Sequence, residues 1–220
     1  MINFSRVYSV GIMIIVSVFI LFNCTNEVRF DELVERNGLV YERNSDELFS
    51  GKSEWYHDSG EKWWVIEYKN GKAHGNHTSW YENGKKSEQA EFNNDALDGD
   101  YKTWHENGKK ELYVELDDGE FDGGYTSWYE NGKKCFQIDE VTGGELKSGM
   151  ESILFVGIFD ANGWNQGKSP ANLRDAKDII IDGTYKHWYE NGELHWKAEF
   201  DDGIIVGDIK EWSESGKRLK

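Results

Sequence analysis

Past one continuous apolar run near the N-terminus, the hydrophobic residues of this chain come in short alternating strings punctuated by glycine. Tyr101-Lys102-Thr103-Trp104 and Glu111-Leu112-Tyr113-Val114 are two such strings. Alternation of this kind predicts strands with two unlike faces. The punctuation is periodic. Gly51, Gly75, Gly99 and Gly123 are spaced by 24 residues, as are Gly183 and Gly207. Five residues after each stands an aromatic: Tyr56, Trp80, Trp104, Trp128, Trp188 and Trp212. Four residues later another glycine follows: Gly60, Gly84, Gly108, Gly132, Gly192 and Gly216. Eight beyond that comes Tyr68, Phe92, Leu116 or Phe200, with Glu140 breaking the set. Such repetition predicts one supersecondary unit stacked many times. Glycine or Asn-Gly every dozen residues excludes a helical unit.

Between aromatic and glycine the sequence is nearly constant. It reads Trp80-Tyr81-Glu82-Asn83-Gly84, Trp104-His105-Glu106-Asn107-Gly108, Trp128-Tyr129-Glu130-Asn131-Gly132 and Trp188-Tyr189-Glu190-Asn191-Gly192. Asn-Gly between strand formers predicts a two-residue type I′ hairpin turn, with positive φ at both central positions. A second, looser turn is expected at Asn70-Gly71, Asp118-Gly119 and Asp202-Gly203. A two-residue turn at Asn107-Gly108 sets Trp104 opposite Glu111, Thr103 opposite Leu112, Lys102 opposite Tyr113 and Tyr101 opposite Val114. Because the period is even, equivalent residues share a face. The tryptophans then form one column, and Tyr101, Tyr125 and Tyr185 another on the opposite face. Glu82, Glu106 and Glu130, interleaved with Lys85, Lys109 and Lys133, read as a self-neutralising surface ladder along the turns.

The apolar run is different in kind. Arg6 is followed by Val7 to Phe22, almost entirely apolar, and then by Leu21-Phe22-Asn23-Cys24. One positive charge before such a run has the layout of a secretory signal over residues 1–23. The close resembles the bacterial lipoprotein signal, in which the chain is cut before a lipid-modified cysteine; Asn23 departs from the small residue usual there. Cys24 is the candidate lipidation site, with an uncleaved N-terminal anchor helix and a signal cut elsewhere as the alternatives. Either of the first two ties the chain to a membrane, in the envelope of a bacterium.

Residues 24–37 read as a linker, 38–135 as repeats opened by a degenerate capping hairpin, 136–178 as one diverged hairpin plus a long loop, and 179–220 as repeats again. Only 38% of the residues are hydrophobic but 15% are aromatic, so apolar contact comes from large rings. There are 24 glycines and one proline, which favours many tight turns over disorder. The formal charge of −16 opposes a nucleic-acid partner and fits a basic protein, a cation or an uncharged glycan, or serves only to keep an extended sheet soluble.

No catalytic residue is expected. The phosphate-loop tail Gly167-Lys168-Ser169 lacks its earlier glycine, and Asp160-Ala161-Asn162-Gly163 lacks the rest of a calcium loop. Cys135 has no catalytic partner in view. His105 stands in a repeat tyrosine's place and reads as a packer. His187 and His195 are expected on opposite faces, so no metal and no cofactor are expected.

The recurring Trp-Tyr-x-Asn-Gly-Lys resembles the bacterial variant of the MORN repeat, over about Leu39 to Lys220 with a break near 136–178. That resemblance implies an all-β fold: an extended antiparallel meander, one hairpin per repeat. The structural positions it carries are Gly75, Trp80, Asn83, Gly84, Gly99, Trp104, Asn107, Gly108, Gly123, Trp128, Asn131, Gly132, Gly183, Trp188, Asn191 and Gly192. It also implies a non-catalytic scaffold that binds a protein, with an antitoxin-like role as a further alternative. Aromatic columns that stack on envelope polysaccharide remain a separate reading.

Overall fold

A computed structural model of the protein describes residues 27–145 and 179–220. Both the apolar run with Cys24 and most of the 136–178 segment lie outside the described residues. No α-helix occurs among the described residues, and so no helix there is long and apolar enough to cross a membrane.

The described residues open with β1 (Glu27–Arg29), a 3-10 turn (Phe30–Glu32), β2 (Leu33–Arg36) and β3 (Leu39–Glu42). The array follows as β4 (Gly51–Tyr56), β5 (Lys62–Lys69), β6 (Lys72–Trp80), β7 (Lys86–Asn93), β8 (Ala96–Leu97), β9 (Gly99–Trp104), β10 (Lys110–Asp117), β11 (Glu120–Trp128) and β12 (Lys134–Glu145). It resumes with β13 (Ile180–Trp188), β14 (Leu194–Asp201) and β15 (Ile204–Glu211). One sheet runs β1-β4-β5-β6-β7-β9-β10-β11-β12-β13-β14-β15, with β8 on β7. Every pairing in it is antiparallel except β1 with β4. The eleven steps of that path span roughly 50 Å along the hydrogen-bonding direction.

Three findings depart from the expectation. Residues 27–36, read as linker, supply an edge strand and half of a small second sheet, β2 with β3. β12 keeps pairing on both sides well past residue 136, to Thr142 against β13 and to Glu145 against β11. The third concerns the turns, whose types are exchanged. Asn70-Gly71, Asp118-Gly119 and Asp202-Gly203 have positive φ at both residues, and their flanks pair directly, as Lys69 with Lys72 and Asp117 with Glu120. These are the tight type I′ turns. In the Trp-Tyr-x-Asn-Gly segments only the glycine has positive φ. There Gly108 N–H donates to the His105 carbonyl at 2.7 Å and His105 N–H to the Lys109 carbonyl at 2.9 Å. The turn is therefore one residue longer and ends in a glycine bulge.

The bulge alters the register locally. Trp104 pairs with Lys110, not Glu111, while Thr103–Leu112, Lys102–Tyr113 and Tyr101–Val114 pair as expected. One face of the sheet is apolar. A cross-strand row runs Tyr101–Val114–Tyr125–Ile138–Tyr185–Ala198, each residue 5% exposed or less. Tyr185 stacks on Trp196 at 4.3 Å between ring centroids. Each such ring hides on the order of 150–250 Å². That is how a chain poor in Leu and Val holds a sheet whose strands pack chiefly against their sheet neighbours. At the N-terminal end the β2–β3 hairpin turns on Asn37-Gly38. It docks where Val40 N–H donates to the Gly71 carbonyl and Phe49, 2% exposed, packs on Tyr68.

Candidate functional site

The constant segment works as a staple between repeats. In each turn the asparagine Oδ1 accepts from the backbone N–H two residues on: Lys85, Lys109, Lys133 and Glu193, at 2.8–2.9 Å. Its Nδ2 donates to a carbonyl of the next turn. Asn83 reaches Glu106, Asn107 reaches Glu130, Asn131 reaches Glu190 and Asn191 reaches Glu214, at 2.6–2.9 Å. The residue after each tryptophan does the same one step earlier. The Tyr81, Tyr129 and Tyr189 hydroxyls donate to the carbonyls of Trp104, Trp188 and Trp212. His105 and His57 replace the hydroxyl with Nε2, bonding the carbonyls of Trp128 and Trp80. His105 is thus a hydrogen-bonding replacement, beyond the packing role expected of it.

The lysines of the expected charge ladder also point along the array. Lys85 and Lys109 ammoniums donate to the Asn107 and Asn131 carbonyls at 2.9 and 2.6 Å, and Lys133 to the Asn191 carbonyl. Their stems cross the next glycine: a Cβ on Gly108 would stand 2.9 Å from Lys85 Cδ. Gly84, Gly108, Gly132 and Gly192 are needed for φ of +76 to +87°, and three of the four also for that passage.

Trp80, Trp104, Trp128 and Trp188 are half-buried. Lys86, Lys110 and Lys134 place their ammoniums 5.3, 5.6 and 5.8 Å over the rings of Trp104, Trp128 and Trp188. These cation–π contacts link each hairpin to the next.

A second repeated feature escaped the sequence reading. Glu67, Glu91, Glu115 and Asp139 lean over Gly75, Gly99, Gly123 and Gly183, where a Cβ would collide with them or press on them. Glu199 holds the equivalent place before Gly207. Buried neighbours such as Val114 and Leu116, or Ala198 and Phe200, face the core, so these carboxylates line the opposite face. The signal was present for four of the five: Glu67, Glu91, Glu115 and Glu199 each stand eight residues before Gly75, Gly99, Gly123 and Gly207, whereas Asp139 stands 44 residues before Gly183. Lys52 pairs with Glu67 at 3.1 Å and Lys197 with Glu199 at 2.7 Å. Glu91 and Asp139 are exposed. The Lys197 ammonium draws the Glu199 carboxyl below its usual pKa against the opposing effect of desolvation, with a Thr184 hydrogen bond adding to the fall. The result is an acidic stripe running through most of the array.

His187 and His195 are not on opposite faces. Trp188 pairs with Leu194, which leaves His195 in the bulge and turns it toward His187. Their Nδ1 atoms lie 2.9 Å apart, and His187 also stacks on Phe136 at 4.5 Å. Burial first, and His195 second, push the His187 pKa down to about 3, so the ring is neutral. Among the described residues no group of three or more His, Cys, Asp or Glu is arranged to hold a metal. Cys135 is a free, half-buried thiol whose pKa burial raises despite contacts with Tyr129 and Ser127, which keeps it protonated at neutral pH.

The β4–β5 hairpin has its own character. Trp55, Tyr56 and Trp63 are 40, 41 and 43% exposed, and Phe30 is 36% exposed. Phe30 lies 4.8 Å from Trp55, and Trp55 5.8 Å from Trp63 in an edge-to-face contact. With Arg29, Asp31 and Glu54, the rings of Phe30, Trp55 and Tyr56 line a groove of about 360 Å³.

The fold and its staples define a class: an array of stacked β-hairpins held by one repeated turn. Three stretches, residues 73–94, 97–115 and 181–202, match the family model described as the MORN repeat variant. The matched segments are the β6–β7 and β13–β14 hairpins with their following turns, and the β9–β10 hairpin. No curated protein matches the chain.

Proposed function

We propose that the protein is a non-catalytic, membrane-anchored scaffold of the bacterial cell envelope whose acidic stripe docks a basic patch of a partner protein. The observation that carries this reading is the recurrence of Glu67, Glu91, Glu115, Asp139 and Glu199 on one face of a continuous sheet. Carboxylates at a constant interval favour a complementary row of cations, and the net charge of −16 adds long-range attraction. Repeats of this kind occur in membrane-associated and protein-binding proteins, which agrees with both halves of the proposal. Anchoring is assigned to a lipid on Cys24.

Two experiments test the proposal. Photo-crosslinkers placed at Glu91 and Asp139 in cells should capture one protein, and Glu91→Lys/Glu115→Lys/Asp139→Lys should lose it. Capture that survives the triple charge reversal, or that is insensitive to salt, sinks the docking assignment. Metabolic labelling with a fatty-acid analogue should mark the wild type and not Cys24→Ala; equal labelling of the two removes the lipid.

A further inference from the structure

We infer that the exposed aromatic corner formed by Phe30, Trp55, Tyr56 and Trp63 rests on the lipid headgroups of the membrane that holds the chain. This inference builds on the anchoring reading above. The corner is the largest group of exposed rings among the described residues, and it sits at one end of the array. Later hairpins put nothing comparable there. The residues equivalent to the Trp55–Trp63 pair are Ser79 with Ser87, Thr103 with Glu111, Ser127 with Cys135, and His187 with His195. The β4–β5 hairpin has therefore exchanged a small or polar pair for two indoles.

Three features select a lipid surface as the occupant. The first is position. The described chain begins at Glu27, which opens β1, and β1 lies alongside β4, the strand carrying Trp55 and Tyr56. Cys24 is three residues earlier, so a lipid there holds Glu27 within about 10 Å. The second is ring type. Indole and phenol with one apolar and one wet end prefer the headgroup region to either water or hydrocarbon. The third is charge. Arg29 and Asp31 form an ion pair at 2.9 Å on the lip of the groove, with the carboxylate of Glu54 among its lining residues. A zwitterionic headgroup presents the complementary phosphate and ammonium, and an ammonium near aromatic faces gains cation–π attraction. The chain's net charge of −16 would oppose a purely anionic surface.

The test uses the full chain and vesicles of phosphatidylcholine with brominated acyl chains, which quench tryptophan at the interface. Flotation reports anchoring, and quenching reports the corner. Wild type should float, with a quenched fraction of its tryptophan emission. Trp55→Phe/Trp63→Phe keeps aromatic packing, should float equally, and should lose at least half of that fraction. Trp104→Phe/Trp128→Phe should leave it unchanged. A chain that floats with the same quenching in all three forms overturns the placement and leaves the anchor standing. A chain that does not float overturns both. Emission that lipid leaves untouched but soluble envelope polysaccharide shifts would reassign the corner to sugar stacking and also overturn the inference.

Discussion

Each repeat asparagine does two jobs with one amide, and they can be separated. The Oδ1 of Asn107 holds the turn by accepting from Lys109 N–H, while its Nδ2 ties the hairpin to the next by donating to the Glu130 carbonyl. Asn107→Ala loses both and should cost about 1–2 kcal/mol in urea unfolding, the worth of one or two partly exposed hydrogen bonds. Asn107→Asp keeps the acceptor but sets a carboxylate oxygen against a carbonyl. If the staple matters, Asp is at least as damaging as Ala; a neutral Asp variant would show that the turn alone selects asparagine. Gly108→Ala tests the neighbouring position. A φ of +87° should by itself cost about 1–2 kcal/mol for an L-residue, and the Lys85 stem lying 2.9 Å from the added Cβ can only add to that. The variant's urea midpoint measures it.

Strand pairs show how much the sequence discloses. Strand alternation, the 24-residue period and the inner register from Tyr101 to Thr103 were legible, because side-chain period and glycine spacing leave no freedom there. Turn type was not. Asn-Gly is compatible with two hairpin geometries, and the choice falls to the partner its amide finds in the next repeat, which lies 23 residues away in the case of Glu106. One residue of difference in the turn then moved every side chain at the bulge, which is why Glu111 misses Trp104 and His195 meets His187. β1 and β2 were missed because three- and four-residue strands are too short to show a period. The acidic stripe is periodic too, but a carboxylate at a solvent-facing strand position is ordinary alternation, and only the glycine it leans over on the neighbouring strand sets these acids apart.

The His187–His195 contact gives the β13–β14 pair a pH dependence. Buried His187 stays neutral with a pKa near 3, whereas in the unfolded chain it titrates near its usual 6.5. Burial also lowers the pKa of His77 and, more weakly countered by Glu211, that of His195. Below 6.5 the unfolded state therefore binds more protons, so stability falls as pH falls. A single fully shifted histidine loses about 1.4 kcal/mol per pH unit, or about 2 kcal/mol from pH 6.5 to 5. The carboxylates with depressed values, Glu54, Asp100 and Glu199, start from usual values of 4.5, 3.8 and 4.5, so their loss comes mainly below this window. The Tm should drop between pH 6.5 and 5 in the wild type. His187→Phe, which keeps an aromatic against Phe136, should reduce that drop; an unchanged slope would move the effect elsewhere.

At the scale of the whole molecule, stability is a sum over neighbours. Strands pack chiefly against the strands beside them, and the staples, cation–π contacts and carboxylate–glycine contacts each join one hairpin to the next. A chain built this way should tolerate loss of a complete unit. Deleting residues 99–122 brings Gly123 to the place of Gly99. It leaves Asn83 facing Glu130 where it had faced Glu106, and Lys86 facing Trp128 where it had faced Trp104. Equivalent residues take every contact, and the even length keeps every side chain on its face. The shortened protein should retain its strand circular dichroism and a cooperative, somewhat lower Tm. Deleting one residue more, 99–123, sets Gly124 directly after Asp98 and so keeps a glycine there, but it inverts the faces of the strand that follows, turning the Tyr125 side of β11 outward. That variant should lose cooperative unfolding or aggregate. If both deletions behave alike, contacts beyond neighbouring hairpins hold the sheet together, and the repeat is a pattern in the sequence without being the unit of stability.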